Sequence, residues 1–192
     1  HHLYLHSFPT RRSSDLIGGN IANASPVGDL LPLFMALNAS AVLASVRGKR
    51  QVALENFITG YRSTCLQSDE LVASIYIPRL GGHELFYCEK VSTRRDVDIS
   101  TVSLALNLQV DRHGYIANPR VVFGGMAASV KRAGAIEQAL EGRLPSLENA
   151  QIAGEMLENE FEPISDARGS SAFRMAVGRN LLLKAFISFG CS

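Results

Sequence analysis

From residue 30 the apolar positions Leu30, Leu33, Phe34 and Leu37 recur at i, i+3, i+4 and i+7, the spacing of one buried helix face. This predicts a helix that starts after Asp29, tolerates Pro32 in its first turn and stops near Asn38. The period then changes. "AVLASV" and "RQVAL" flank "RGK" and predict a hairpin, "ENFITGYRST" an irregular connection, and "ELVASIYIP" a strand. Pro78 with Gly81 and Gly82 marks the clearest boundary in the chain. Beyond it "LFYCEKVS", "TVSLALNLQV" and "IANPRVVFGGM" predict three strands, the last two joined around "DRHG". Helical faces follow: Ala133, Ile136 and Leu140, then Ala150, Ala153 and Leu157, then Leu182, Ala185, Phe186 and Phe189. Strands followed by a block of helices predict an α+β fold, an antiparallel sheet with helices packed on one face.

Residues 1–16, "HHLYLHSFPTRRSSDL", show no hydrophobic period, and the stretch Leu5–Leu16 resembles the in-frame translation of a common sequencing adapter. They are read as an artefactual or disordered segment and left out of the fold. Without them the balance falls from 19 basic and 18 acidic residues to 17 of each. A neutral chain with no basic stripe points away from nucleic acid and from a charged membrane surface as partners. No run nears the roughly 18 apolar residues of a membrane helix and no signal peptide opens the chain, so a cytoplasmic protein is expected. His83 and His113 are far apart, and Cys65, Cys88 and Cys191 lack the close pairing of zinc or iron–sulfur ligands. No metal site is expected in this chain, and the cysteines read as thiols of a reducing compartment.

One stretch is unusually rich in glycine, asparagine, serine and proline: "IGGNIANASPVGD", residues 17–29. Glycine lets the backbone bend freely and approach a ligand closely, so Gly18 and Gly19 could present amides to a phosphate or a flat ring. The Asp29 carboxylate could accept hydrogen bonds from sugar hydroxyls. A plainer reading, which spacing alone favours, is that the cluster is a turn and Asp29 a helix cap. The stretch matches neither the phosphate loop of nucleotide hydrolases nor the dinucleotide glycine fingerprint.

"IGGNIANASPVGDLLP", "FITGYRST", "DELVASIYIP", "KVSTRRDVDIS", "VVFGGMAASVKRA" and "FRMAVGRNLLLKAF" run in order through residues 17–189 almost without a gap. Together they resemble the FAD-binding portion of molybdenum hydroxylases. "RRDVDIS" and "FGGMAA" are more similar to the xanthine dehydrogenase type, often a small subunit in bacteria, than to the medium subunit of carbon monoxide dehydrogenase. The resemblance implies a truncated FAD-binding domain, its second subdomain, over residues 17–80. Over residues 83–190 it implies a flavoprotein C-terminal domain, a three-stranded antiparallel sheet packed with helices.

It also implies roles for particular residues. Gly18, Gly19, Asn20 and Ile21 match the loop beside the FAD, continued by Asn23 and Ser25. Asp29 matches an acidic residue that binds FAD hydroxyls, and Val72 stands where an aliphatic residue, usually leucine, contacts the adenine side. Lys90 matches a lysine at the pyrimidine edge of the flavin. An ammonium there favours the reduced anion, and a hydrogen bond to a charged group is worth roughly 1.5–3 kcal/mol. Arg94, Arg95, Asp96 and Asp98 fall in a loop bordering the nicotinamide entrance, and Tyr61 and Arg62 line the NAD side. No catalytic acid, base or nucleophile is implied, because hydride transfer belongs to the cofactors.

The activity implied is that of a xanthine dehydrogenase FAD subunit. Electrons from hypoxanthine or xanthine would pass from a molybdenum centre through iron–sulfur clusters to FAD and on to NAD. The partners implied are the molybdenum-binding large subunit and the iron–sulfur domain, which carry the cofactors absent from this chain. The flavoprotein of an aldehyde oxidase or carbon monoxide dehydrogenase shares the same flavin residues, and a non-catalytic interaction fragment is the alternative of another class. Relative to the family pattern the N-terminal half of the FAD domain is absent, so the chain alone is expected to hold FAD weakly or not at all.

Overall fold

The computed structural model describes residues 16–94 and 98–191, so residues 1–15 and the candidate loop residues Arg95 and Asp96 lie outside the described residues. The glycine-rich stretch corrects the expectation of a turn along its whole length. Its first part is a short helix, α1 (Ile17–Ala22), closed by Asn20 N–H to the Leu16 carbonyl at 2.8 Å and Asn23 N–H to that of Gly19 at 3.0 Å. Ile21, fully buried, anchors it in the core and outweighs the low helix propensity of two glycines. The remainder, Asn23 to Asp29, is the turn that the composition predicts.

Helix α2 (Leu30–Ala36) follows, with Pro32 inside its first turn, and ends before Asn38, which takes a left-handed conformation at φ 55°. Strands β1 (Ser40–Ser45) and β2 (Gly48–Ala53) form the predicted hairpin, turning at Val46 and Arg47. The connection expected to be irregular holds a helical turn, α3 (Leu54–Phe57), and a small hairpin of β3 (Ile58–Gly60) and β4 (Ser63–Thr64). Strand β5 (Leu71–Tyr76) returns antiparallel to β1, giving a sheet in the order β2-β1-β5.

The second sheet is antiparallel throughout: β6 (Glu84–Ser92), β7 (Ser100–Val110), β8 (Ile116–Gly124) and the short β9 (Lys131–Arg132), in that order. The predicted three strands are present, and two residues past the "GGM" turn add a fourth. Helices α4 (Gly134–Leu140), α5 (Leu147–Glu155), α6 (Leu157–Glu160) and α7 (Ser171–Ser188) follow. The Ser170 hydroxyl caps α7, accepting from Phe173 N–H at 3.1 Å.

The pleat of β7 explains why this sheet is covered on both faces, where helices on one face were expected. Val102, Leu104, Leu106 and Leu108 point to one side and pack with Ile136, Leu182 and Phe186 of the helical layer. Thr101, Ser103, Ala105 and Asn107 alternate with them and are small or polar, which leaves room for α2 to lie against the opposite face. There Leu31, Phe34 and Met35 share a core with Ala105, Val122 and Val130.

Two glycines test this packing in opposite directions. Gly125, at φ +77°, would place a β-carbon 2.2 Å from the Thr101 carbonyl oxygen. Gly125→Ala is therefore expected to destabilise the fold by more than about 2 kcal/mol. Gly178, inside α7, would place its β-carbon 3.3 Å from the flexible Met126 Cε. Gly178→Ala is expected to stabilise by up to about 1 kcal/mol, since helix propensity outweighs a small methyl shift. Urea unfolding of the two variants measures both signs.

Candidate functional site

One end of the second sheet, where β6 finishes, β7 begins and β8 enters its glycine turn, faces the turn over residues 23–29. Between them lies an open cleft of about 880 Å³. The 61–62 corner of the small hairpin and the 164–168 segment ahead of α7 form its other walls. Gly124 and Gly125 hold the sheet close to the turn: Gly125 N–H donates to the Pro26 carbonyl at 2.7 Å. A β-carbon on Gly124 would sit 2.5 Å from Ser103 Oγ and 3.1 Å from Pro32 Cγ.

Asp29 and Lys90, 61 residues apart, meet here. Lys90 Nζ lies 2.6 Å from Asp29 Oδ2 and donates to the Asp98 carbonyl at 3.1 Å, while the Ser100 hydroxyl donates to Asp29 Oδ1. The capping role open to Asp29 is not the one it takes. It sits at the start of α2 without a side-chain capping bond, because its carboxylate is committed to the lysine and the serine. Lys90, read as a cation aimed at the flavin, has its charge shared with Asp29, and both side chains remain substantially solvent-accessible.

The opposite wall rests on a residue that the sequence reading missed. Arg174, in the first turns of α7, is 2% exposed. Its Nη1 donates to the carbonyls of Thr101 and of Gly125, the latter at 2.9 Å, and its Nη2 pairs with Asp166 Oδ1 at 2.7 Å. The available signal was an arginine in register with Gly178, Leu181, Leu182 and Ala185, the buried stripe of the helix. A cation on an apolar stripe is costly unless paired and hydrogen-bonded.

Of the residues proposed for the cofactor, Asn20, Asn23, Ser25, Asp29 and Lys90 line the cleft. Gly18, Gly19, Ile21 and Val72 do not; Ile21 is in the core, and a β-carbon on Gly18 would meet Val72 of β5 at ordinary contact distance. Tyr61, Arg62, Arg94 and Asp98 line it as well. Arg94 pairs with Asp98 at 3.4 Å, whereas Arg62 faces no carboxylate among the described residues and donates to Asn23 Oδ1 at 3.2 Å. Its guanidinium also stands 5.9 Å from the Tyr61 ring centroid. Among the described residues no group of three or more His, Cys, Asp or Glu could hold a metal ion.

Two carboxyls in these walls are held below the usual aspartate range. Asp98 is lowered chiefly by the Arg94 N–H, with help from its guanidinium and the Ile99 N–H. Asp166 is lowered chiefly by the Arg168 N–H and also by Arg174. A carboxyl with a depressed folded-state pKa stabilises above its unfolded value and loses that contribution as pH falls. The melting temperature is therefore expected to be level near neutrality and to fall below about pH 4, with a shallower fall in Asp166→Asn. Arg174→Met, which strands two buried carbonyls and Asp166, is expected to cost about 3 kcal/mol in urea unfolding at pH 7.

The comparisons agree with this architecture. Residues 87–189 match the CO dehydrogenase flavoprotein C-terminal domain, and residues 9–80 match the FAD binding domain in molybdopterin dehydrogenase, a match that begins inside the adapter-like opening. The glyceraldehyde dehydrogenase medium chain of Sulfolobus acidocaldarius is 31% identical over 175 residues, covering 91% of this chain and 61% of that one. The xanthine dehydrogenase/oxidase of Gallus gallus is 34% identical over 185 residues, covering 94% of this chain and 13% of that protein. Carbon monoxide dehydrogenase from Hydrogenophaga pseudoflava, in a structure lacking the Mo-pyranopterin moiety, matches with a TM-score of 0.83 at 26% identity. That match covers 91% of this chain and 61% of the other. The chain thus spans about three fifths of the medium chain and of the solved chain, and about an eighth of the xanthine dehydrogenase/oxidase. With both parts of the fold matched and the cleft lying where they meet, the chain belongs to the flavoprotein family of molybdenum hydroxylases.

Proposed function

We propose that this chain is the FAD-carrying part of a xanthine dehydrogenase-type enzyme of the cytoplasm, relaying electrons from iron–sulfur clusters through FAD to NAD during purine oxidation. In this reading residues 17–80 serve as the second subdomain of the FAD-binding domain and 83–190 as the flavoprotein C-terminal domain. A molybdenum-binding large subunit and an iron–sulfur domain are the partners. The observation that carries it is the convergence of Asn20, Asn23, Ser25, Asp29, Arg62 and Lys90 on one cleft from three separate stretches of chain.

The donor set fits the cofactor. Arg62, without an acidic partner among the described residues, suits a phosphate oxygen, and the amides of Asn20 and Asn23 suit ring or sugar edges. Asp29 can accept from hydroxyls only if it keeps or exchanges its present bonds to Lys90 and Ser100. The cleft volume lies toward the upper end of the range for small-molecule sites, roughly 300–1,000 Å³. When bound, FAD supplies the two-electron chemistry that links one-electron clusters to hydride transfer. The chain's own residues would position it: Lys90 would supply positive charge to the pyrimidine edge, and Asp29 with the Asp98 carbonyl fixes the ammonium and offsets part of its field. Tyr61, Arg62, Arg94 and Asp98 shape the mouth through which a nicotinamide would enter.

A second reading, another molybdenum hydroxylase such as an aldehyde oxidase or carbon monoxide dehydrogenase, is favoured by the medium-chain relative and by the matched solved structure. The purified complete enzyme separates the two: anaerobic bleaching of the flavin by xanthine supports the first, and bleaching by an aldehyde alone supports the second. In the same enzyme Lys90→Met is expected to lower the flavin potential by about 30 mV, or about 1.4 kcal/mol for two electrons. NADH formation should slow while dye-linked oxidation persists. An unchanged potential with both activities lost would remove the electrostatic role of Lys90.

A further inference from the structure

The Asp29 carboxylate that faces Lys90 is itself held by a residue lying behind the cleft wall. Ser100, the first residue of β7, is 0% exposed and does not line the cleft, yet its hydroxyl donates to Asp29 Oδ1. Lys90 Nζ takes the other oxygen, Oδ2, at 2.6 Å. The two carboxylate oxygens are thus divided between one neutral donor and one charged one.

A fault in the strand puts Ser100 there. Along β7 the even-numbered Val102, Leu104, Leu106 and Leu108 pack into the helical layer, and strict alternation would send Ser100 the same way. The ladder between β6 and β7 pairs Val91 with Val102 and then Ser92 with Ser100, so Thr101 is an extra residue on β7. Residues paired across a ladder share a face, and Ser92 shares its face with Lys90, two positions before it. The bulge therefore carries Ser100 from the helical face to the face of Lys90. The carbonyl of the extra residue, Thr101, is one of those that Arg174 takes. A bulge beside a functional cleft re-aims a side chain, and the one re-aimed here grips Asp29.

We propose that Ser100 is a positioning residue of the flavin site: by holding Asp29 Oδ1 it sets how much of the Lys90 charge the carboxylate cancels, and so tunes the reduction potential of the bound flavin. This rests on the reading of Lys90 as the cation at the pyrimidine edge. The hydroxyl presents the positive end of its dipole to the carboxylate and takes up part of its negative charge. Without that donor more of the charge falls on the ammonium, and less of the ammonium's field is left to favour the reduced flavin.

Anaerobic redox titration of the FAD in the complete enzyme at pH 7 tests this with single and paired variants. Ser100→Ala is expected to make two-electron reduction of the flavin at least about threefold less favourable, a midpoint lower by about 14 mV. Ser100→Thr keeps the donor at a strand position suited to a β-branched residue and is expected to hold the native midpoint. Ser100→Cys, nearly the same size with a weaker donor, is expected to give an intermediate fall, and it carries the test if the alanine enzyme loses its flavin. In the Lys90→Met enzyme the effect of Ser100→Ala is expected to vanish, because the hydroxyl acts through the ion pair; a serine that served only the fold would shift both backgrounds alike. The proposal is overturned if removing the hydroxyl leaves the midpoint where it was, or lowers it equally with and without Lys90. An unchanged midpoint in Lys90→Met removes the reading of Lys90 and this proposal with it, whereas a fall in Lys90→Met with none in Ser100→Ala removes this proposal alone.

Discussion

The pairing of one buried guanidinium organises the functional end of this molecule. Arg174 brings a positive charge into the interior of α7, where an unpaired cation would be prohibitive, and discharges it onto Thr101, Gly125 and Asp166. Those three groups belong to the start of β7, the exit of β8 and the approach to α7, so one side chain holds three strand and turn ends at a common distance. The grip extends one bond further, because the Gly125 amide reaches Pro26 in the turn that presents Asp29. The cleft therefore inherits its shape from a residue in its wall whose bonds run to the protein backbone and to Asp166.

Asp29 shows the same economy on the opposite side. A carboxylate at the start of a helix ordinarily satisfies amides of the first turn. Here it turns to Lys90 and Ser100 and so ties β6 and β7 to the turn ahead of α2. The approach is possible because the facing residues are slight: Ser103, Ala105 and Gly124 present almost nothing between the sheet and Pro32. Side-chain size on one face of β7 thus decides how near the two acid–base partners come.

Much of this fold was legible in the order of apolar and polar residues. The hairpin of β1 and β2, strand β5, the three long strands of the second sheet and the stripe through α7 all follow from period and punctuation. Helix α1 was not legible, since two glycines and an asparagine read locally as a turn, and only the burial of Ile21 against distant residues makes the helix worth forming. Helix α3 and the β3–β4 hairpin are too short to leave a periodic trace. At the site, Asp29 and Lys90 were found through family motifs, but their mutual ion pair spans 61 positions and no local pattern encodes it. Arg174 left a local mark, a charge on an oily stripe, whereas its partners stand as much as 73 positions away.

The core shared by α2 with Ala105, Val122 and Val130 has a mechanical consequence. Two lobes that met only at a polar seam could swing like jaws about their connection, and a ligand could be swallowed by closure. Here a swing would tear apolar contacts from the sheet, so the groove behaves as a fixed slot. Whatever enters must match a shape already cut, and traffic through it is governed by side chains and the short turn at its lip.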